Sequence, residues 1–348
     1  MLAEGTTFNE ANFGKYAYTN LGYNIYGLAL HYQLKKKWQD VLQERIFTSA
    51  GLKHTTAYVS RARAKKFKIA APYVISTDGS DAGRMVRSQL EKTDENMQSA
   101  GGIFMSISDL GRWLNLNLNG GRVGRKQVMP AEIIRTVQTA YTKSTRNEPP
   151  FSGDGEYGLG WQLGKYRNEK VIYHHGAYPG YRSHVSFMPE KKVAMGVLVN
   201  NDALGGRLAD MLAAYVYDWW LRTENFEADY ARQIQETLKA VENRKQGIAA
   251  EAAQRAKREW QLTKPFADYG GKYANDLLGT IGIVAEEKTL AVQMGKLNAV
   301  ATPFTEKDTI RVVMLPGGNG DVIGFAKDAD GNFGSLKFGG FTFTRVAK

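Results

Sequence analysis

The spacing of apolar residues near the start of the chain predicts two helices. In the first, apolar residues recur at intervals of three and four, which is typical of an amphipathic helix. They are Leu21, Ile25, Leu28, Ala29 and Tyr32. Asn20 stands where a helix N-cap is expected. A second apolar stripe, from Trp38 to Ile46, ends near Gly51, a residue that readily takes the left-handed conformation after a helix.

Further along, the pattern predicts both helices and strands. Ser106 and Asp109 form a capping-box pattern ahead of an apolar helical stripe. The runs Ser183 to Met188 and Val193 to Val199 are extended and joined by a short polar turn, which predicts a hairpin. A further helix is predicted over Leu208 to Leu221.

The pattern changes again in the last third of the chain. Between Thr223 and Trp260 the residues are mostly Ala, Glu, Gln, Lys and Arg, which favours a helical connector. After that, short alternating runs are separated by Gly, Asn and Asp turns, which indicates a small all-β sandwich or barrel. We therefore expect an α+β chain with boundaries at 1–222, 223–262 and 263–348.

Composition narrows the classes of function. The 348 residues are 43% hydrophobic and 23% charged, enough for a large core and two domains. Without cysteine, disulfides, thiolate metal sites and a cysteine nucleophile are excluded. No apolar run has the roughly 18 residues of a membrane span, and Met1 to Asn9 shows no export signal, so the compartment stays unknown. The net charge of +11 comes without a nucleic-acid recognition motif, and we predict no nucleic-acid partner.

Metal and cofactor chemistry have little support in the sequence. Of five histidines only His174 and His175 are adjacent, and neighbours on a strand point to opposite faces. The zinc-protease, EF-hand, phosphate-loop and dinucleotide motifs are missing, as is the Gly-x-Ser-x-Gly nucleophile elbow. We predict no metal and no cofactor, and a small-molecule or peptide substrate as the partner.

Acyl transfer in which a tyrosine manages the proton of an attacking serine remains open. Tyr18-Thr19-Asn20 is the candidate. A phenol has an ordinary pKa of about 10, so it acts as a base only where nearby positive charge stabilises phenolate. Because Tyr166-Arg167-Asn168 and Tyr273-Ala274-Asn275 fit the same pattern, the tripeptide alone decides nothing.

A second candidate element is His174-His175-Gly176-Ala177. A small residue at a strand edge lets substrate backbone approach closely, and the Ala177 amide could donate to a carbonyl oxygen as part of an oxyanion hole. An ordinary strand end with a structural histidine is the alternative.

Four ordered landmarks give these elements a context. They are Tyr18-Thr19-Asn20-Leu21-Gly22-Tyr23, Ser99-Ala100-Gly101-Gly102 leading into Ser106-Ile107-Ser108-Asp109-Leu110, Tyr157-Gly158-Leu159-Gly160-Trp161, and His174-His175-Gly176 with Pro179-Gly180-Tyr181. In order and spacing they resemble the β-lactamase-related serine hydrolases, a family with class C β-lactamases, DD-peptidases, esterases and CubicO-type peptidases. The resemblance covers about Ala17 to Leu221. The segment Tyr269 to Tyr273 is similar to the opening of the lipocalin-like domain of some CubicO-type peptidases.

The resemblance implies a β-lactamase/transpeptidase-like domain, an antiparallel sheet flanked by helices, followed by a lipocalin-like barrel. It implies Tyr18 as base or proton shuttle and Asn20 as the group that binds the acyl-side amide of the substrate. His174 stands in place of the lysine of Lys-Thr-Gly, which argues against a dedicated β-lactamase, while His175, Gly176 and Ala177 would line the substrate and oxyanion site. It also implies a periplasmic or secreted location.

The sequence departs from the family pattern at the nucleophile. Relatives carry Ser-x-x-Lys well before the tyrosine, but only 17 residues precede Tyr18, and no Ser-x-x-Lys occurs in the chain. The nearest imitation, Ser60 to Arg63, has an arginine that cannot act as a base. We therefore expect a domain incomplete at its N-terminus and inactive as supplied, from a serine hydrolase of peptides, esters or β-lactam-like substrates. The alternative is a non-catalytic relative that binds peptides or cell-wall fragments. The oligomeric state is open.

Overall fold

A computed structural model describes residues 14–144 and 149–346 of the chain. Met1 to Asn9, where the sequence shows no export signal, lie outside the described residues. The chain divides into two units. Among the described residues, the first unit comprises 14–72, 91–144 and 149–237, and the second comprises 73–90 and 238–346.

The described residues form both helices and strands. The helices are α1 Leu21–Leu34, α2 Trp38–Leu42, α3 Thr48–Ala50, α4 Val59–Ala64, α5 Ile107–Leu118, α6 Ala131–Val137, α7 Gly205–Leu221, α8 Phe226–Arg255 and α9 Phe266–Tyr269, with a π-helical turn at Gln43–Phe47 and a 3-10 turn at Gly79–Asp81. The first twelve strands are β1 Thr55–Thr56, β2 Tyr73–Ile75, β3 Met85–Arg87, β4 Phe104–Met105, β5 Arg122–Val123, β6 Lys126–Gln127, β7 Thr142–Lys143, β8 Phe151–Tyr157, β9 Gln162–Tyr166, β10 Glu169–Tyr178, β11 Tyr181–Met188 and β12 Val193–Val199. The remaining strands are β13 Gly271–Asn275, β14 Gly279–Ala285, β15 Leu290–Met294, β16 Leu297–Val300, β17 Thr302–Pro303, β18 Thr309–Val312, β19 Asp321–Lys327, β20 Phe333–Phe338 and β21 Phe341–Arg345.

A six-stranded antiparallel sheet organises the first unit, in the order β12-β11-β10-β9-β8-β7. Helices α5 and α7 both pack on strands β11 and β12. An antiparallel sheet flanked by helices was predicted, and this arrangement confirms it. The predicted hairpin of β11 and β12 is also present, paired over its whole length.

The alternation of side chains along β10 assigns each of its faces to a different helix. Val171 and Tyr173 belong to the core cluster that includes residues of α7. Ile172 belongs to the cluster that includes Leu110 and Leu114 of α5. Because side chains of a strand alternate between faces, His174 continues the α5 face and His175 continues the α7 face.

In the second unit, strands β13 to β21 form a nearly closed nine-stranded antiparallel barrel. Its interior is filled by aliphatic and aromatic side chains, including Tyr269, Tyr273 and Phe343. This confirms the predicted small β barrel. The hairpin of β2 and β3 belongs to this unit although it is distant in sequence, a grouping that local patterns did not predict. The buried Arg311 bonds Asp78 at 2.7 Å and accounts for part of that association.

Local predictions near the helix ends fared unevenly. Gly51 has φ of 66° and ends α3, as predicted. The Ser106 hydroxyl accepts from the Asp109 amide at 3.2 Å and caps α5, as predicted. Asn20 is the N-cap residue of α1, as predicted, but its side chain makes no capping hydrogen bond, and the Leu21 amide donates to the hydroxyl of Thr19 at 3.0 Å. None of the described helices combines the length and apolar character needed to cross a membrane.

Candidate active site

Two of the predicted residues, Tyr18 and His174, come together in the first unit. Tyr18 lies just before α1, whereas His174 lies in the middle of β10. Their ring centroids are 6.2 Å apart, with the planes tilted by 33°. Tyr18 is 43% exposed, so its hydroxyl can be reached from solvent. Asn20 is exposed at the start of α1, two residues after Tyr18.

The two ring nitrogens of His174 have different partners. Nδ1 lies 2.7 Å from the carbonyl oxygen of His175 and Nε2 lies 3.2 Å from the hydroxyl of Tyr157. A carbonyl oxygen only accepts, so Nδ1 carries a proton, and in the neutral ring Nε2 is left as the acceptor. Tyr157 then donates its hydroxyl proton to Nε2. This fixes both the tautomer and the orientation of the imidazole.

Tyr157 is a site residue to which the sequence assigned no role. Burial raises the pKa of its phenol far above the ordinary value, and the neighbouring Tyr23 and Tyr18 raise it further. Tyr157 therefore stays protonated and remains a hydrogen-bond donor. Tyr157 belongs to the sequence landmark 157–161, but the landmark alone does not show which residue it contacts. In the folded chain this tyrosine, on β8, reaches His174.

The pairing of β10 changes beside His174. Strand β9 pairs with β10 only from Glu169 to Tyr173, whereas β11 pairs with it as far as Tyr178. Gly176 and Ala177, the predicted oxyanion residues, lie in the stretch of β10 beyond the pairing with β9.

Gly176 lies opposite Ser183 of β11 in the register. A β-carbon at position 176 would lie 2.2 Å from the hydroxyl oxygen of Ser183, so that hydroxyl would have to move to admit a side chain. Glycine thus lets the two strands meet closely beside the candidate site.

A cavity of about 490 Å³ adjoins this end of β10. Gly176 and Ala177 form part of its wall, together with apolar side chains such as Phe67 and Ile103. Its size is in the usual range for small-molecule sites, about 300 to 1,000 Å³. Lys92 and Arg182 also line it, and the charge of Arg182 is compensated by an ion pair with Asp202. Burial lowers the pKa of Lys92, whose ammonium lies 3.8 Å from the centroid of the Tyr178 ring.

His175 does not join the cluster of Tyr18 and His174. Its Nε2 lies 2.8 Å from Oδ1 of Asp210 on α7 and 3.2 Å from Nδ1 of His184 on β11. Burial disfavours the charged form of Asp210, but hydrogen bonds from the two histidines outweigh it and lower its pKa. Among the described residues, this trio forms a group that could hold a metal ion. Because neither His184 nor Asp210 belongs to a recognisable sequence motif, this group could not be predicted from the sequence.

Comparisons with known proteins agree with this fold. An unguisins hydrolase of Aspergillus violaceofuscus is 22% identical over 195 residues, covering 53% of this chain and 34% of the relative. An unguisins hydrolase of Aspergillus campestris is 21% identical over 288 residues, covering 78% of this chain and 50% of the relative. The chain thus spans half or less of the length of these curated relatives. A structure described as the octameric penicillin-binding protein homologue of Pyrococcus abyssi matches with a TM-score of 0.52 at 16% identity, over 95% of this chain and 65% of that one.

The family model described as Beta-lactamase matches residues 10–217. That range is more than half of the chain and contains Tyr18, the cavity and His174. The chain therefore belongs to the β-lactamase family, a superfamily of hydrolases and acyl transferases with serine hydrolases among its members.

Proposed function

We propose that this protein is a serine hydrolase that acts through an acyl-enzyme on peptide, ester or β-lactam-like substrates. In this proposal Tyr18 handles the proton of the attacking serine, and the end of β10 at Gly176 and Ala177 lines the site that holds the substrate. The amide of Ala177 donates to the developing oxyanion. The serine itself comes from a Ser-x-x-Lys segment that the 348 residues do not contain.

The observation that carries the proposal is the proximity of Tyr18 and His174 near the cavity that Gly176 and Ala177 line. His174, held as the Nδ1–H tautomer, offers a hydrogen-bond acceptor at Nε2 beside the phenol of Tyr157. Tyr18, acting as phenolate, would take the proton of the serine as its oxygen attacks the acyl carbon, and as phenol it would then return that proton to the leaving group. The ammonium group of Lys92 in the cavity wall favours acyl substrates with an anionic group.

The test compares the 348-residue chain with a chain extended by the upstream coding sequence, if that sequence encodes an in-frame Ser-x-x-Lys. We expect the extended chain to hydrolyse chromogenic esters and to bind a fluorophosphonate probe, and the 348-residue chain to do neither. Ser106 and Ser183 both line the cavity, but neither has a lysine three residues later. A stoichiometric adduct on either serine would contradict the proposal.

In the extended chain, Tyr18→Phe should lower the acylation rate by about 10² to 10⁴, the usual cost of losing a positioned general base. Substrate affinity should change little, because only one hydroxyl is removed. Tyr26→Phe is the matched control, since Tyr26 is 63% exposed on the neighbouring helix α1. Equal losses in the two variants would withdraw the assignment of Tyr18.

The absence of Ser-x-x-Lys favours a second candidate function, a non-catalytic protein that binds peptides or cell-wall fragments in the same cavity. This alternative predicts saturable binding of such a ligand by the 348-residue chain, and no turnover even in the extended protein. Calorimetric titration beside the ester assay separates the two candidates.

A further inference from the structure

The strongest unexplained feature is the group formed by His175, His184 and Asp210 on the α7 face of the sheet. Their three ligand atoms form a small triangle. Nε2 of His175 and Nδ1 of His184 lie 2.8 and 2.7 Å from the same carboxylate oxygen of Asp210. The two nitrogens lie 3.2 Å from each other. Three elements, β10, β11 and α7, contribute one residue each.

The three ligand atoms could share one metal ion after moving slightly apart. A tetrahedral zinc ion binds imidazole nitrogen and carboxylate oxygen at about 2.0 to 2.2 Å, so its ligand atoms are separated by roughly 3.3 Å. Here the three atoms lie 2.7 to 3.2 Å from one another. Without an ion, both imidazoles lie within hydrogen-bond distance of the same oxygen of Asp210. With an ion bound, both nitrogens direct lone pairs at the ion instead.

The surroundings of His184 match those of a metal ligand. His184 is fully buried, and its other nitrogen, Nε2, lies 2.7 Å from the hydroxyl of Ser186. Ser186 in turn lies 2.7 Å from the hydroxyl of Tyr217 on α7. A histidine ligand usually donates its second N–H to such a partner, which fixes the ring and directs the ligating nitrogen. Here Ser186 and Tyr217 supply that chain.

The site is also accessible to an ion. The side chains of His175 and Asp210 are 21% and 22% exposed, so one side of the triangle faces outward. Three protein ligands leave a fourth tetrahedral position for water. Two imidazoles and one carboxylate suit zinc and its neighbours in the first transition row, whereas magnesium prefers oxygen ligands throughout.

The geometry points to a binding site for one divalent transition-metal ion of the zinc type, held by His175, His184 and Asp210. The ion ties the sheet to α7 by linking β10 and β11 with Asp210. The side chains of this site lie on the opposite face of β10 from His174.

The experiment uses the whole 348-residue chain, stripped with a chelator and dialysed. Zinc and cobalt are titrated by calorimetry, cobalt also by its visible absorption, and magnesium serves as the negative control. The variants are His175→Gln and Asp210→Asn, neither of which is fully buried. His31→Gln is the matched control, because His31 is exposed on α1. Circular dichroism checks the fold of each protein.

We expect one equivalent of zinc or cobalt to bind the unaltered chain and the His31 variant, and to raise their melting temperature. Affinity should fall at least about 100-fold in the two ligand variants, since loss of an outer-shell partner alone costs 10- to 100-fold. The absorption of bound cobalt should indicate four-coordinate geometry. The proposal is overturned if the unaltered chain binds no stoichiometric zinc or cobalt, or if folded His175→Gln and Asp210→Asn bind as it does.

Discussion

Replacing Asp218 by asparagine should destabilise the first unit more than any surface carboxylate does. Asp218 lies on α7 with 2% of its surface exposed. Arg167, at the turn between β9 and β10, donates to its two oxygens from Nε at 2.6 Å and Nη2 at 3.1 Å. Tyr230 of α8 and Thr223 donate to it at 3.0 Å each. One carboxylate therefore joins the sheet to both C-terminal helices of the unit.

The magnitude follows from what asparagine keeps and loses. The amide has nearly the same shape, but it is neutral, and its NH₂ group must face donors that the carboxylate accepted. Removing one partner of a buried pair costs about 3 to 5 kcal/mol. The side chain of Arg167 is 52% exposed, however, so water stabilises it once the carboxylate charge is gone. We therefore expect a loss of about 2 to 3 kcal/mol in the free energy of unfolding.

Urea and thermal unfolding at neutral pH provide the measurement, followed by fluorescence and calorimetry so that separate transitions of the two units are recognised. Asp229→Asn is the matched control, because Asp229 pairs with Arg232 on the surface of α8 and should matter little. If Asp218→Asn is as stable as the control, the network does not stabilise the unit.

The same network predicts a pH dependence. Burial alone would raise the pKa of Asp218, but hydrogen bonds from Arg167 and its neighbours outweigh burial and lower it. A lowered folded-state pKa means that the stabilisation is complete above the unfolded pKa of about 3.9, and is lost as pH falls through the folded value. The stability difference between the unaltered chain and Asp218→Asn should therefore be constant near neutrality and shrink below about pH 4. An undiminished difference in acid would show that the charge of Asp218 is not its cause.

Two further predictions concern β10. Tyr157→Phe should leave the chain folded but remove the hydrogen bond to Nε2 of His174. The ¹⁵N chemical shifts of the imidazole should then change from those of the Nδ1–H tautomer to those of a mixture of the two tautomers. Unchanged shifts would mean that Tyr157 does not select the tautomer. Gly176→Ala should cost about 1 to 3 kcal/mol in unfolding free energy through its collision with Ser183. Adding Ser183→Ala should restore most of that loss, and a double variant no more stable than Gly176→Ala would exclude the collision as the cause.

Much of the architecture could be predicted because it depends on local periodicity. The hairpin of β11 and β12, the helix α7 and the barrel each follow from alternation or helical spacing in one continuous segment. The association of 73–90 with the barrel could not be predicted in this way. It depends on contacts such as the one between Asp78 and Arg311, whose separation in sequence hides them from any local pattern.

Helix α1 shows why spacing does not determine burial. Its period was predicted correctly, yet Leu21, Ile25, Leu28 and Tyr32 are all exposed. Spacing fixes which residues share a face of a helix, but not what packs against that face. Asn20 was predicted correctly as the N-cap residue, but the side chain that bonds the start of the helix belongs to Thr19. Both are good capping residues, and only the geometry of the folded chain selects between them.

The candidate site divides in the same way. Tyr18 and His174 were predicted from ordered landmarks, and the fold brings them together. The partners that orient His174 were not predicted. Tyr157 is on β8 and reaches His174 only because the sheet is folded, and the contact with the His175 carbonyl depends on how the imidazole is rotated. A residue whose role is to orient another side chain belongs to no motif of its own, so a single sequence does not reveal it.

At His175, strand β10 contacts groups on both faces of the six-stranded sheet. The carbonyl of His175 accepts the Nδ1 proton of His174, while the side chain of His175 is held on the other face by Asp210. A rotation of His175 about its backbone would move that carbonyl and so release the His174 ring from its single tautomer. Anchoring His175 to α7 thus restricts the imidazole beside Tyr18, although no atom of Asp210 needs to contact a substrate. Packing on the α7 face of the sheet can in this way stabilise the orientation of His174 on the α5 face.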